Sequence, residues 1–224
     1  MKKIIIILFI LSLCGCGKID DVSSSIDPDK PVVALTFDDG PSKYTNEIID
    51  YLYYNGVKAT FFIVGENIET YEDVLQDMLN YGNEIGNHSY SHEWLTKLNK
   101  KQLDFQVNQV NKLLDMKFNY TPKYLRPPYG DVNNRLRNLD FDIVLWNIDS
   151  RDWKLKNSKS IAKKVLNNNL DGKIVLMHDI YERSYYALKI IIPELKRQGY
   201  QFVTISEFRK YQALKEFLND QRRN

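Results

Sequence analysis

Residues 32–41 read Val32-Val33-Ala34-Leu35-Thr36-Phe37-Asp38-Asp39-Gly40-Pro41. The stretch opens as a short apolar run rich in β-formers, a strand pattern, and stops at two aspartates followed by turn formers. Working outward, similar runs recur at 59–64, 84–87, 123–126, 142–147, 173–177 and 201–204, separated by stretches of helical period. Leu103, Val107, Val110 and Leu114 keep one helical face apolar, and Ile48 and Leu52 do so for a helix that stops at Gly56. Gly82 and Gly199 punctuate two further helices, and Ser206 is the expected N-cap of a closing helix over 206–218. Strands alternating with helices predict an α/β fold, and seven parallel strands in one domain fit a small barrel.

A chain of 224 residues, 43% hydrophobic and 27% charged, can bury one core. The N-terminus stands apart. Lys2 and Lys3 lead into an apolar run from Ile4 to Leu13 that meets Cys14-Gly15-Cys16-Gly17, an export signal too short to span a membrane as a mature helix. Its end is similar to a bacterial lipobox: cleavage after the small Gly15 leaves Cys16 as the acylated N-terminus, while Cys14 in the second lipobox position departs from the usual pattern. A plain secretory signal is the alternative, and both readings export the protein. The expected divisions are a signal at 1–15, a tether at 16–30 rich in Ser, Asp and Pro, a catalytic domain at 31–208 and a C-terminal helix at 209–224. Cys14 and Cys16 are the only cysteines, so the folded domain has neither a disulfide nor a cysteine zinc site. Removing Lys2 and Lys3 from the 31 basic residues leaves 29, equal to the 29 acidic ones, a balance that argues against nucleic acid as a partner. Oligomeric state is not legible in the sequence.

Five polar clusters follow predicted strands directly, and in parallel α/β folds the C-terminal strand ends build the active site. They are Thr36 to Pro41, His88-Ser89-Tyr90-Ser91-His92, Arg126-Pro127-Pro128-Tyr129-Gly130, Asp149-Ser150-Arg151-Asp152-Trp153 and Leu176-Met177-His178-Asp179. Adjacent aspartates both ionise most easily where a cation or hydrogen-bond donors compensate them, although Asp-Asp-Gly-Pro also makes an ordinary solvated turn. His88 and His92 share one face if they lie on a helical turn, and imidazole is a favoured ligand of zinc. All three histidines of the chain fall in these clusters rather than scattering over the surface. Two imidazoles and one carboxylate leave open positions on a metal, as hydrolysis requires, but the same set suits a non-haem iron oxygenase.

Splitting an amide needs a base to activate water and an acid for the departing amine, roles that Asp38 and His178 can fill and that an oxygenase does not need. Arg126 can pair with Asp38, and Asp149 with His178, each orienting its partner. Pro127-Pro128 stiffens the segment before Tyr129, which suits a backbone N–H held toward an oxyanion. Trp153 and Leu176 can wall a pocket the size of an acetyl methyl, though both residue types are core residues by default.

Together the five clusters resemble the ordered motifs of the polysaccharide deacetylase family, the carbohydrate esterases of family 4 that include chitin, peptidoglycan and chitooligosaccharide deacetylases. The resemblance runs from about Pro31 to Phe208. It implies a distorted barrel in which Asp38 is the catalytic base, Asp39, His88 and His92 hold a divalent metal, usually zinc, and His178 is the general acid. It also implies that Arg126 partners the base, Asp149 partners the acid, Tyr129 contributes an oxyanion-hole N–H, and Trp153 and Leu176 line the acetate pocket. Cobalt, nickel or manganese can replace zinc in such a ligand set. The expected substrate is an acetylated glycan polymer. A chain lipid-anchored through Cys16 at the outer face of a bacterial membrane faces peptidoglycan, so N-acetylglucosamine there is the first choice and N-acetylmuramic acid the second. An exopolysaccharide, a chitin oligomer or an O-acetyl ester such as acetylated xylan is a further option. A lipoprotein that binds glycan without turning it over is the reading of a different class.

Overall fold

The computed structural model describes residues 26–223, so the expected signal, Cys16 and most of the expected tether lie outside the described residues. Among the described residues, eight parallel strands and seven α-helices follow in the order β1 (Val32–Asp38), α1 (Thr45–Tyr54), β2 (Thr60–Ile63), α2 (Glu72–Asn80), β3 (Glu84–Asn87), α3 (Lys100–Phe118), β4 (Tyr124–Leu125), α4 (Asn134–Arg137), β5 (Asp142–Ile143), β6 (Ile148–Asp149), α5 (Ser158–Leu166), β7 (Lys173–His178), α6 (Glu182–Arg197), β8 (Gln201–Phe202) and α7 (Ile205–Arg223). The sheet order is β5-β4-β3-β2-β1-β7-β6, with β8 paired to Val32 and Val33 of β1.

The sheet curls into a barrel whose two edge strands, β5 and β6, are consecutive in sequence. The strand expected at 142–147 therefore divides. Val144 N–H donates to Leu125 O, and Asn147 N–H donates to Ile174 O, so the chain leaves β4 and reaches β7 within four residues. A single crossing segment closes the barrel where a hydrogen-bonded strand pair would otherwise be needed.

β1 is buried along its whole length, as a central parallel strand must be. Its two faces serve different cores. Val33, Leu35 and Phe37 pack outward in the main core, with Ile48, Ile49 and Leu52 of α1 and Leu188, Ile191 and Ile192 of α6. Val32 and Ala34 face the barrel interior with Phe62, Val144 and Ile174, where Ile205, Phe208 and Tyr211 of α7 join them. On that inner face the residues change midway from apolar Val32 and Ala34 to polar Thr36 and Asp38. The apolar half fills the barrel, and the polar half forms the floor of a site at the strands' C-terminal ends.

Helix ends follow local chemistry. Asn99 and Gln102 form a reciprocal capping box at the start of α3, and Asn119 ends it in a left-handed conformation. The cap of α7 is Thr204 rather than the expected Ser206: Thr204 Oγ1 accepts from Glu207 N, and Glu207 Oε2 accepts from Thr204 N at 2.9 Å. Ser206 lies inside the helix and gives its hydroxyl to Glu84. α7 is continuous across the boundary expected at 208/209, and its first turns belong to the core. At the other end, Asp27 N and Asp27 O both bond the side chain of Gln201 at 2.8 Å, fixing the last residues of the expected tether to β8.

Phe37 has no solvent exposure and stacks on Phe61 with ring centroids 4.8 Å apart. Phe37→Ala is expected to lower stability by about 3–5 kcal/mol in chemical denaturation, because the main core cannot collapse around the lost ring.

Candidate active site

β1 ends in Asp38, and Asp39 follows with φ 75°. β3 ends in Asn87, and His88 and His92 lie in the loop beyond it. Among the described residues, five of the six non-glycine residues with positive φ (Asp39, Ser89, His92, Tyr129 and Arg151) sit in the loops after β1, β3, β4 and β6. Each such conformation costs on the order of 1–3 kcal/mol, strain that collects where the chain must aim particular groups.

The 88–92 loop is held from below by α3. Asn87 Oδ1 accepts from Ser89 N at 2.8 Å, while its Nδ2 donates to Val107 O and Asn111 Oδ1, both at 2.9 Å. Gln106, a buried polar residue on the otherwise apolar face of α3, takes Ser91 N at 2.9 Å and donates to Ser91 Oγ at 2.6 Å. Sequence reading passed over both side chains. The interruption of the apolar stripe at Gln106 is the signal that marks it.

The loop brings His88 and His92 to Asp39. Asp39 Oδ1 lies 3.3 Å from His88 Nε2 and 3.1 Å from His92 Nε2, and the three ligand atoms fall within 4.8 Å of one another. His88 Nδ1 is 2.6 Å from Arg126 O. A carbonyl can only accept, so Nδ1 carries the hydrogen and Nε2 keeps its lone pair for the centre of the cluster. One carboxylate and two imidazoles converging in this way fit a divalent cation. Burial would raise the Asp39 pKa, but hydrogen bonds and charge from the histidines outweigh it and hold the carboxyl well below the usual range.

Arg126 follows β4 and has no exposure. Its NH1 donates to Asp38 Oδ1 at 2.6 Å and Thr36 Oγ1 at 2.8 Å, and its Nε donates to Val144 O at 3.1 Å. The guanidinium lies 4.0 Å over the Phe62 ring. Burial lowers its pKa, and the Asp38 carboxylate opposes that shift. With Oδ1 occupied by Arg126, Asp38 turns Oδ2 toward the cluster, 3.8 Å from His88 Nε2.

His178 ends β7 on the opposite side, its Nε2 4.0 Å from Asp39 Oδ2. Its partner is not the expected Asp149. His178 Nδ1 and Asp152 Oδ1 are 2.7 Å apart, and Asp152 is fully buried, accepting also from His178 N at 2.7 Å and Ser184 Oγ at 2.7 Å. Asp149 instead accepts Arg151 N at 2.7 Å and Trp153 Nε1 at 3.3 Å. That turn, with Arg151 at φ 56°, swings Asp152 inward. Strand-end position singled out Asp149, but only the backbone turn reveals which acid of the cluster faces the histidine. Burial alone would lower the His178 pKa; the Asp152 hydrogen bond and charge, with Asp38 and Asp39, raise it to about 9.

Tyr129 adopts φ 62° directly after Pro128, and its N–H has no hydrogen-bond partner among the described residues. Its ring stacks on Trp94 at 4.1 Å and meets the edge of His92 at 4.8 Å. Leu176 is buried on the inner face of β7, two residues before His178, whereas Trp153 is half exposed at the rim. Asp179 is buried behind the site, and burial pushes its carboxyl up to about 7.

The family model described as polysaccharide deacetylase matches residues 25–142. The peptidoglycan-N-acetylmuramic acid deacetylase PdaC of Bacillus subtilis is 42% identical over 194 residues, 86% of this chain and 42% of that protein. A peptidoglycan-N-acetylglucosamine deacetylase of Bacillus cereus is 40% identical over 196 residues, 84% of this chain and 70% of that protein. The solved structure of PdaC superposes with a TM-score of 0.85 at 42% identity, covering 88% of this chain and 99% of that one. The chain thus spans less than half the length of PdaC. With the fold, the cluster and a relative that it covers over two thirds of its length in agreement, the chain belongs to the polysaccharide deacetylase family.

Proposed function

We propose that the protein is a metal-dependent hydrolase that removes N-acetyl groups from a cell-wall amino-sugar polymer, releasing acetate. The observation that carries the reading is the pairing of Asp38 with Arg126 and of His178 with Asp152 on opposite sides of the Asp39, His88 and His92 cluster. A binding module needs neither pair.

Asp39, His88 and His92 would hold a divalent metal, which when bound would supply Lewis-acid chemistry for the acetyl carbonyl and for water. Zinc is the first expectation, with cobalt, nickel or manganese able to substitute. Asp38 presents Oδ2 to accept the proton of the attacking water, while Arg126 fixes its rotamer through Oδ1. Against burial, the hydrogen bond and charge of Asp152 raise the His178 pKa and favour the protonated imidazole; with Nδ1 engaged by Asp152, it delivers the Nε2 proton to the leaving amine. The Tyr129 N–H supports the oxyanion. Leu176 and Trp153 bound the acetyl methyl.

Peptidoglycan N-acetylglucosamine is the first substrate and N-acetylmuramic acid the second. The two relatives bear names specifying different sugars at nearly the same identity, so overall identity does not choose between the sugars. An acetylated xylan ester is the competing substrate class. The apolar run from Ile4 to Leu13 and the following Cys16 support export and a lipid anchor, placing the domain outside the membrane and facing the wall. No helix among the described residues is long and apolar enough to cross a membrane.

Acetate release from peptidoglycan, N-acetylglucosamine oligomers and acetylated xylan, measured before and after metal removal and restoration, tests the reading. Metal-dependent release that is faster from the N-acetylated glycans is expected; release confined to xylan would make the protein an esterase, and glycan binding without release would make it a binding module.

In the metal-free protein, the His178 imidazole is expected to titrate near 9 by NMR, and Asp152→Asn to bring it back toward 6.5. The folded pKa lies above the unfolded one, so the stabilising contribution of this pair is complete below 6.5 and disappears as pH rises through 9. The difference between thermal melts of the same two proteins should shrink as pH rises through 9.

A further inference from the structure

Asp179 directly follows His178 and is buried, and it is not among the residues whose ligand atoms converge in the metal cluster. Its Oδ2 accepts the hydroxyl of Thr45 at 2.6 Å, and its Oδ1 finds no hydrogen-bond partner among the described residues. Its backbone carbonyl accepts the hydroxyl of Ser42 at 2.6 Å, and Ser42 N donates to Thr45 Oγ1 at 2.7 Å. These contacts join the end of β7 to the 38–45 loop. Gly40 completes the arrangement, because a Cβ added there would overlap both carboxylate oxygens of Asp179. The carboxyl therefore sits against the backbone one residue past Asp39. On its other side, Gly40 O accepts Val64 N at 2.8 Å, so the loop is clamped between β2 and β7.

We propose that Asp179 is a positioning residue: its buried carboxyl, seated over Gly40 and bonded to Thr45, locks the loop carrying Asp38 and Asp39 in register with His178. The inference rests on the roles assigned to Asp38, Asp39 and His178 in the proposed function. Its Oδ2 has one hydroxyl partner, Thr45, and its Oδ1 has none among the described residues, so hydrogen bonding alone does not account for a carboxyl buried here. Its position explains it better. It fills the space that only a glycine leaves open, and it spans the interval between the two halves of the site. A shift of about 1 Å between a metal ligand and a proton donor costs about 100-fold in rate, so this contact matters to turnover without meeting substrate.

The full chain in detergent, as Asp179→Ala, Asp179→Asn, Gly40→Ala and the double Gly40→Ala/Asp179→Ala, tests the proposal through zinc affinity, kcat and KM. Asp179→Ala is expected to weaken zinc binding about 10- to 100-fold and to lower kcat about 100-fold, with kcat/KM falling in parallel. Asp179→Asn, which keeps the shape and the acceptor for Thr45, stays within about fivefold of the parent. Gly40→Ala is damaged because its methyl meets the carboxyl, so the double variant is no worse than Gly40→Ala alone. Parent-like zinc affinity and kcat in Asp179→Ala overturn the proposal, as do losses that multiply in the double variant. Should Asp179→Ala not fold, Thr45→Val removes the hydroxyl that joins Asp179 to Ser42 N: weakened zinc binding supports the link and parent-like binding overturns it. If the parent releases no acetate from any glycan, the proposed function fails, while the zinc affinities still decide the role of Asp179.

Discussion

The structure depends on a guanidinium buried in the barrel between β4 and β1. Arg126 reaches inward past the last apolar layer and finds the only polar residues of the inner face of β1, Thr36 and Asp38, while the carbonyls of Val144 and Leu145 accept from its Nε and NH2. A buried charge is tolerated only when its counterion and donors are satisfied together, and removing one partner of such a pair typically costs about 3–5 kcal/mol. The same residue sets chemistry twice. Its side chain fixes which oxygen of Asp38 faces the site, and its carbonyl fixes which nitrogen of His88 does. Strand β4 is only two residues long, yet it places this one arginine against the central strand.

Around that pair the site divides into two halves. The β1 and β3 loops supply Asp39, His88 and His92, while β7 supplies His178, backed by the fully buried Asp152. In each half a buried partner orients the group that the proposed function uses, Arg126 for Asp38 and Asp152 for His178. The backbone strain at Asp39, Ser89, His92, Tyr129 and Arg151 accompanies this aiming, since every one of these residues belongs to a loop that must turn sharply at the mouth of the barrel. Asn119, the sixth, simply ends a helix.

Much of this was legible in the sequence because the strands are short apolar runs ending in polar clusters, and in a parallel barrel those ends must meet. Val32 to Phe37 and the helix carrying Leu103, Val107, Val110 and Leu114 follow from periodicity alone. The segment after Asp142 did not, because whether it pairs with β4 or with β7 is decided by barrel closure, a long-range constraint with no local pattern. The choice between Asp149 and Asp152 failed for a related reason: both carboxylates occupy one cluster, and the left-handed turn at Arg151 that exchanges their orientations carries no glycine to announce it. Ser206 misled as a cap because Thr204, two residues earlier, makes the reciprocal contact with Glu207 that only the folded chain displays.

The claim that Asp38 and His178 act as one acid and base unit is tested most directly by kcat/KM on an acetylated glycan for Asp38→Asn, His178→Ala and their combination, with zinc content and thermal stability followed in parallel. The account predicts that each single change lowers kcat/KM by about 10²- to 10⁴-fold while the protein stays folded and metal-loaded, and that the double change costs little more than the worse single one. Activity within tenfold of the parent in either single variant would contradict it.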